Sequence, residues 1–180
     1  NLCIEDSYFI IFPGASSSAR MWSAKHFAHV ANEISRRKKW KMVVCGTGAE
    51  AVTVSQVMEY AGLEGSLNLA GKTTLSQFVE LVRRAQLLIG NETSSAHVAA
   101  AVGTPSVCLL GGGHFGRFAP YPDCVKGSKP VVVFERMECY GCNWRCHQPH
   151  RRGEAVPCIA AISVEAVVKA TGKALNNIRV

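Results

Sequence analysis

Residues 86–110 read QLLIGNETSSAHVAAAVGTPSVCLL, and this stretch decides the fold. A short apolar run at 86–90 leads through polar residues into a helix of small residues at about 96–102, which Gly103 and Pro105 end. A second apolar run follows at 106–110. Short continuous apolar runs are typical of strands buried on both faces. The stretch therefore predicts a strand, a helix and a second, parallel strand.

The same alternation extends in both directions along the chain. Further strands are predicted at 8–12, 42–45, 66–70 and 131–134, and further helices at about 23–37, near 51–61, from 74 and at 163–170. In the helix from Thr74, a capping box opens the helix and Leu75, Phe78, Val79 and Val82 are expected to face inward. The pattern predicts an α/β fold: one Rossmann-like, doubly wound parallel sheet of about six strands.

Length and composition narrow the class of protein. The 180 residues are 48% hydrophobic and 18% charged, which suits one folded domain and excludes a disordered chain. No apolar run approaches the roughly 18–20 residues of a membrane-spanning helix, and no signal peptide is recognisable at the N-terminus. Because the first methionine is Met21, we expect the chain to be part of something longer. The net charge of +7 favours an anionic partner.

Ligands of doubly wound sheets bind beyond the carboxyl ends of the strands. That rule selects the loops 13–22, 46–50, 71–74, 90–95 and 111–118. The first reads PGASSSARMW: Gly14, Ala15 and Ser16 let the backbone approach a ligand, and Arg20 can fork onto phosphate oxygens. The alternative is an ordinary polar turn with a solvent-facing arginine.

The loop after the second strand, GTGAEA at 46–51, fits a weak dinucleotide fingerprint beginning at Gly46. It supports a second hypothesis, a domain that binds NAD or a flavin. Glu50 stands at the start of the next helix, where it either accepts hydrogen bonds from a ribose or complements the helix dipole.

The loop after the strand at 86–90 is the most informative candidate site. Free backbone N–H groups at the start of the helix, flanked by Asn91, Thr93 and Ser94, make an anion site. His97 lies one turn after Thr93 and is expected to face the same mouth, unless it is a histidine packed among alanines.

The glycines 111–113 allow either close approach of phosphate at Gly112 or a mobile loop, and no Walker A sequence follows them.

Two further features of the sequence each allow a purely structural interpretation and a functional one. Cys139, Cys142, Cys146 and Cys158 form a cluster that suits a zinc site, a disulfide or buried thiols, and we expect it to lie away from the mouth. No metal ligand is assigned. The basic run 36–41 (RRKKWK) is either a solvated helix end or, in a third hypothesis, the contact of a zinc-stapled module with nucleic acid. Cys3, Cys45, Cys108 and Cys124 are scattered, which favours reduced thiols in the cytosol.

Four segments taken together resemble glycosyltransferase family 9, the heptosyltransferases. They are FPGA with Arg20 and Trp22, VCGTGAE at 44–50, LAGKTTL at 69–75, and IGNETSSAHVAAAVGTP at 89–105. The resemblance covers nearly all of the chain and is to the C-terminal half of a two-domain GT-B enzyme. It implies that residues 1–180 are a nucleotide-sugar (donor) domain, with a Cys-containing element at about 136–160 and a final helix.

The resemblance also implies roles for single residues. The donor diphosphate would be bound by Arg20, Thr93, Ser94 and His97. At the position of Arg20 the family commonly carries lysine. Glu50 would hold the ribose, Lys72 and Thr73 would line the adenine pocket, and Glu92 would lie against the donor sugar. Arg20, Glu92 and His97 are the expected catalytic residues. Family members often have aspartate and glycine where this chain has Glu92 and Ser94, so we expect a donor other than ADP-heptose or a shifted geometry.

The resemblance implies partners and location as well. The donor would be a nucleotide sugar such as ADP-heptose, with no cofactor required and no nucleic acid partner. The acceptor would be a glycolipid of the lipopolysaccharide-core type, bound through an N-terminal domain that supplies the catalytic base. We therefore expect these residues to bind nucleotide but to be inactive alone. A cytoplasmic location, compatible with peripheral contact at the inner membrane, is expected.

Overall fold

The computed structural model describes residues 4–176, which form a six-stranded, entirely parallel sheet. The strand order is β3-β2-β1-β4-β5-β6. This confirms the predicted doubly wound sheet. The strands, in chain order, are β1 (Tyr8–Phe12), β2 (Lys41–Val44), β3 (Leu67–Asn68), β4 (Leu87–Asn91), β5 (Ser106–Leu109) and β6 (Val131–Val133).

Helices cover both faces of the sheet. They are α1 (Ala24–Lys38), α2 (Ala51–Ala61), α3 (Leu75–Arg84), α4 (Ser94–Val102), α5 (Pro157–Ala160) and α6 (Val164–Asn176). Helices α1, α2 and α6 pack on one face, where Phe9 and Ile11 of β1 point, and α3 and α4 cover the other, where Ile10 points. Both faces of the central strands are thereby buried, which explains their continuous apolar sequences. No helix in residues 4–176 is long and apolar enough to cross a bilayer.

Several local predictions are confirmed by hydrogen bonds. At Thr74 the hydroxyl accepts from the Gln77 N–H, and the Gln77 amide oxygen accepts from the Thr74 N–H, which is the predicted capping box. Ser163 accepts from the Ala166 N–H at the start of α6. Thr93 occupies the N-cap position of α4, although its side chain makes no capping hydrogen bond.

Other predictions were wrong. Leu75 is 73% exposed instead of inward-facing, because it lies in the first turn of α3, while Leu81, which we had not assigned to the core, is buried. Strand β3 has only two residues, and α6 continues to Asn176. The short helix α5 was not predicted. Cys3 lies outside the described residues.

The strand order places the candidate site. β1 pairs with both β2 and β4, so the chain reverses its winding direction between β1 and β4. The loops that leave the carboxyl ends of β1 and β4 therefore lie side by side at the switch point, where sheets of this kind bind ligands.

Candidate functional site

Asn91, the last residue of β4, holds the two loops together. Its side chain is completely buried; the amide nitrogen donates to the Pro13 carbonyl at 2.7 Å, and the amide oxygen accepts from the Trp22 N–H at 3.1 Å. We expected Asn91 to contact a ligand. The structure corrects this, because both ends of the amide are bonded inside the protein and Asn91 is not among the residues that line the neighbouring cavity.

A cavity of about 700 Å³ opens beside these loops. Eight of the predicted site residues line it together: Ala15, Ser16, Arg20, Glu50, Glu92, Thr93, Ser94 and His97. Four further lining residues, which the sequence analysis did not select, are Phe12, Thr47, Ala49 and Phe118. The three loops from which these predicted residues come, 13–22, 46–50 and the loop that enters α4 from 90, thus meet at one place.

The remaining predicted residues do not line this cavity. Gly14 and Gly46 pack against the Glu50 side chain, which occupies the space that a Cβ at Gly14 would need. Lys72 is exposed and its ammonium group donates to the Asn68 carbonyl at 3.0 Å. Thr73 follows Lys72 in the same loop. A backbone hydrogen bond joins this loop to the loop after β2: the Gly71 N–H donates to the Gly46 carbonyl at 2.9 Å.

The N-terminus of α4 opens into the cavity through Thr93, Ser94 and His97. The Thr93 hydroxyl bonds the Ser95 hydroxyl at 2.8 Å and does not cap the helix. The first N–H groups of the helix therefore lack a side-chain cap from Thr93, and the helix dipole adds partial positive charge there. This end of the cavity is suited to an anion.

Arg20 adds a full positive charge to the same end. Its guanidinium donates to the Glu92 carbonyl at 2.8 Å and to the Ser16 hydroxyl at 3.1 Å. Because a guanidinium has five N–H donors, these two bonds leave others for a ligand. The side chain is 21% exposed, so the charge is reachable from the cavity.

Glu92 is the unusual acid of the site. The side chain is only 5% exposed, neither carboxylate oxygen has a hydrogen-bond partner, and the nearest cation is Arg20 at 3.7 Å. Burial raises the pKa of Glu92, and the charges of Arg20 and His114 offset only part of that increase. A buried carboxylate without partners that lines a cavity is suited to accept hydrogen bonds from ligand hydroxyls.

Tyr121 holds His97, and Tyr121 was not among the site residues predicted from the sequence. The phenol oxygen lies 2.5 Å from Nδ1 of His97, and the two rings are nearly parallel. With Nδ1 occupied, Nε2 is the ring nitrogen left for a ligand. The two residues are 24 positions apart, and no local motif connects them.

Glu50 has the structural role that the sequence allowed, at the start of a helix. Its carboxylate accepts from the Thr47 N–H at 2.6 Å and from the Thr47 hydroxyl at 3.0 Å, which forms a capping box before α2. Glu50 also lines the cavity. A ribose diol would have to share this carboxylate with Thr47.

The glycines 111–113 make room for aromatic rings. A Cβ at Gly111 would lie 2.6 Å from the Trp144 ring, a Cβ at Gly113 would also overlap that ring, and Tyr140 fills the corresponding space at Gly112. This corrects the expectation that Gly112 contacts phosphate. None of the four clustered cysteines lines the cavity, although Trp144 of the same element lies against Arg20, with 4.8 Å between the ring centroid and the guanidinium carbon.

The cysteines of that element are free thiols, as are the other described cysteines. Cys158 is buried and accepts a 3.4 Å hydrogen bond from the Gly112 N–H. Burial raises the pKa of Cys158, and the neighbouring Cys139, Cys142 and Cys146 raise it further. Within residues 4–176 no group of three or more His, Cys, Asp or Glu side chains is arranged to hold a metal ion.

The basic run at the end of α1 is exposed and largely engaged in local contacts. Arg36 and Arg37 both pair with Glu33, at 2.9 and 2.8 Å, and Lys38 lies over the Trp40 ring. Lys41 pairs with Asp6. These contacts are those of a solvated helix end.

Comparison with known proteins identifies the family to which this chain is similar. The model of glycosyltransferase family 9 (heptosyltransferase) matches residues 2–135. Lipopolysaccharide heptosyltransferase 3 of Escherichia coli K12 is 30% identical over 111 residues, which cover 61% of this chain and 32% of that protein. The chain thus spans about a third of the length of the curated relative.

Solved structures show the same fold. The ADP-heptose LPS heptosyltransferase II of E. coli superposes with a TM-score of 0.71 at 21% identity, covering 99% of this chain and 49% of that one. A family 9 glycosyl transferase from Veillonella parvula superposes with a TM-score of 0.72 at 25% identity, covering 98% of this chain and 48% of that one. The chain therefore corresponds to about half of each of these proteins.

Proposed function

The chain belongs to glycosyltransferase family 9, the heptosyltransferases, and from this membership we propose that it is the donor-binding half of a GT-B glycosyltransferase. The proposed reaction transfers a sugar from a nucleoside diphosphate sugar, such as ADP-heptose, to a hydroxyl of a glycolipid acceptor of the lipopolysaccharide-core type. Residues 4–176 form one donor-binding unit in this proposal, and the Cys-containing element at about 136–160 is part of it.

One observation carries the proposal: Arg20 and the uncapped N-terminus of α4 line the same cavity, and the Arg20 guanidinium donates to the Glu92 carbonyl, one residue before the N-cap position of α4. A helix N-terminus, a guanidinium and the hydroxyls of Ser16 and Ser94 together provide the donors that a diphosphate needs. When the bond between the sugar and the diphosphate breaks, the electron pair remains on the departing oxygen. Arg20 and the helix N–H groups would stabilise that developing charge.

The other lining residues have roles that follow from their chemistry. Glu92, with two unpartnered oxygens, would accept hydrogen bonds from hydroxyls of the donor sugar. His97, held at Nδ1 by Tyr121, would donate to the diphosphate from Nε2. Glu50 would accept from the ribose. We place the base that takes the acceptor proton in the other domain of the enzyme.

The location is part of the same proposal. We place the enzyme in the cytoplasm, with its basic surface in contact with the inner membrane that carries the glycolipid acceptor. Co-sedimentation with vesicles containing anionic lipid, falling as salt is raised from low to physiological concentration, is the expected behaviour. Binding that is equal for neutral and anionic vesicles would contradict the membrane part of the proposal.

Isothermal titration of the 180-residue chain with ADP, AMP and NAD tests the donor site. We expect saturable 1:1 binding of ADP, weaker binding of AMP because it lacks the second phosphate, and loss of most ADP affinity in Arg20→Ala. Arg83→Ala serves as the control, because Arg83 is exposed on α3, where it pairs with Glu80. A folded chain that binds no ADP, or that binds NAD more tightly, would overturn the proposal.

A further inference from the structure

Trp144 contacts the arginine that the proposed function depends on. The Arg20 guanidinium lies over the indole ring at 4.8 Å, while its edges donate to Ser16 and to the Glu92 carbonyl. Two edge hydrogen bonds and one covered face together fix the orientation of a planar group. Trp144 itself does not line the cavity, and Arg20 is the cavity-lining residue that its ring is seen to contact.

The glycine loop provides the space that Trp144 needs. A Cβ at Gly111 or at Gly113 would overlap the indole ring, so only glycine at these positions admits it. The loop also binds the backbone of the Cys-containing element: the Gly141 N–H donates to the Gly112 carbonyl at 2.8 Å, and the Asn143 N–H donates to the Gly113 carbonyl at 3.0 Å. The ring is therefore held by the loop from two directions.

The backbone at Trp144 has an uncommon conformation. Asn143 and Trp144 are consecutive residues with φ of 51° and 62°, in the left-handed region. Such a conformation is unfavourable for a bulky side chain, and it persists only when surrounding contacts require it. Here the His114 ring bonds the Asn143 amide oxygen at 2.8 Å and adds to the backbone bonds of the glycine loop.

We propose that Trp144 is a positioning residue for Arg20: the Cys-containing element holds the indole against the guanidinium and so sets the orientation in which Arg20 meets the donor diphosphate. This inference rests on the proposed function of the cavity. It gives the Cys-containing element a role in donor binding.

The first experiment tests the contact without any nucleotide. In NMR spectra of the arginine-labelled chain, with Arg20 assigned from the Arg20→Lys variant, we expect the Arg20 side-chain protons to be shifted upfield by the indole ring current. The shift should persist in part in Trp144→Phe and disappear in Trp144→Leu. Arg20 protons at ordinary positions in the unmodified chain would overturn the inference.

The second experiment measures ADP affinity in a double-mutant cycle. We expect Trp144→Leu to weaken ADP binding about five- to tenfold, in the range of a partly desolvated cation–π contact, and Trp144→Phe to restore most of the affinity. In an Arg20→Ala background, Trp144→Leu should have no further effect. Tyr140→Leu is the matched control, because Tyr140 packs on Gly112 in the same element and the guanidinium over its ring is that of Arg136.

The outcomes separate the two proposals. If the unmodified chain binds ADP and the Trp144 and Arg20 effects simply add, or if Tyr140→Leu weakens binding as much as Trp144→Leu, the positioning role is overturned while the proposed function stands. If the folded chain binds no ADP, the proposed function fails and with it the role in donor binding, whereas the ring-current shift still decides whether the contact exists.

Discussion

Replacing Glu92 by glutamine is expected to make the folded chain more stable near pH 8 while weakening donor binding. The carboxylate is 5% exposed and neither of its oxygens accepts a hydrogen bond. An amide of nearly the same shape carries no charge and is less costly to bury. When replacing a residue stabilises the fold but weakens ligand binding, the native residue serves function at a cost in stability.

The magnitude follows from two opposing contributions. Leaving a buried polar group without hydrogen bonds costs about 1–3 kcal/mol, and more when the group is charged. The attraction to Arg20, 3.7 Å away, offsets only part of that cost, because the pKa of Glu92 stays raised despite it. The net gain for Glu92→Gln is therefore about 1 kcal/mol, which corresponds to a rise in Tm of about 2–4 °C for a chain of this size.

The pH dependence has a defined sign. Because burial raises the pKa of Glu92 above its ordinary value, the unmodified chain is destabilised by the charged carboxylate as pH rises through that raised pKa. The advantage of Glu92→Gln should be full above that range. It should vanish at low pH, where the carboxyl group is protonated in both the folded and the unfolded chain.

Thermal unfolding at a series of pH values, followed by circular dichroism, measures this difference. Glu59→Gln is the control, because Glu59 is an exposed residue of α2 and its replacement should change Tm little at any pH. A Glu92→Gln variant that is less stable at pH 8, or whose advantage does not depend on pH, would refute the reasoning.

Three further predictions concern other parts of the site. Tyr121→Phe removes the hydroxyl that holds His97 and should weaken ADP binding about fivefold, the value of one hydrogen bond, as measured by titration calorimetry. Gly113→Ala should lower the stability by about 1–3 kcal/mol in denaturant unfolding, because its methyl group overlaps the Trp144 ring. Cys108 should resist alkylation in the folded chain at pH 8, because burial raises the pKa of its thiol to about 12.

Each of these has a control within the chain. Tyr60→Phe removes an exposed hydroxyl of α2 and should leave ADP affinity unchanged. Gly172→Ala, where a Cβ meets nothing within 4 Å in α6, should be neutral or stabilising. The exposed Cys124 should be alkylated first. Equal effects in a variant and its control would contradict the corresponding prediction.

The sequence predicted the elements that depend on local patterns. Buried parallel strands leave continuous apolar runs, and the capping box at Thr74 is four residues long, so both could be read without any distant contact. The convergence of Arg20, Glu92 and His97 also followed, because the winding of the sheet brings the loops after β1 and β4 together.

The errors come from contacts between distant residues. Asn91 was expected at a ligand, yet its amide joins two loops that are about 70–80 positions apart in the sequence. The contact of Trp144 with Arg20 depends on how an irregular segment folds back over the glycine loop, and irregular segments carry no periodic signal. The contact of Tyr121 with His97 was missed for the same reason, because Tyr121 also lies in an irregular segment.

The most direct test of the central claim is the position of the diphosphate. Backbone amide NMR spectra of the labelled chain, recorded during titration with ADP, report which N–H groups the ligand meets. We expect the largest changes at the first amides of α4, from Ser94, and in the loop at Ser16, all of them reduced in Arg20→Ala. Changes confined to the glycines 111–113, or to the basic run 36–41, would contradict it.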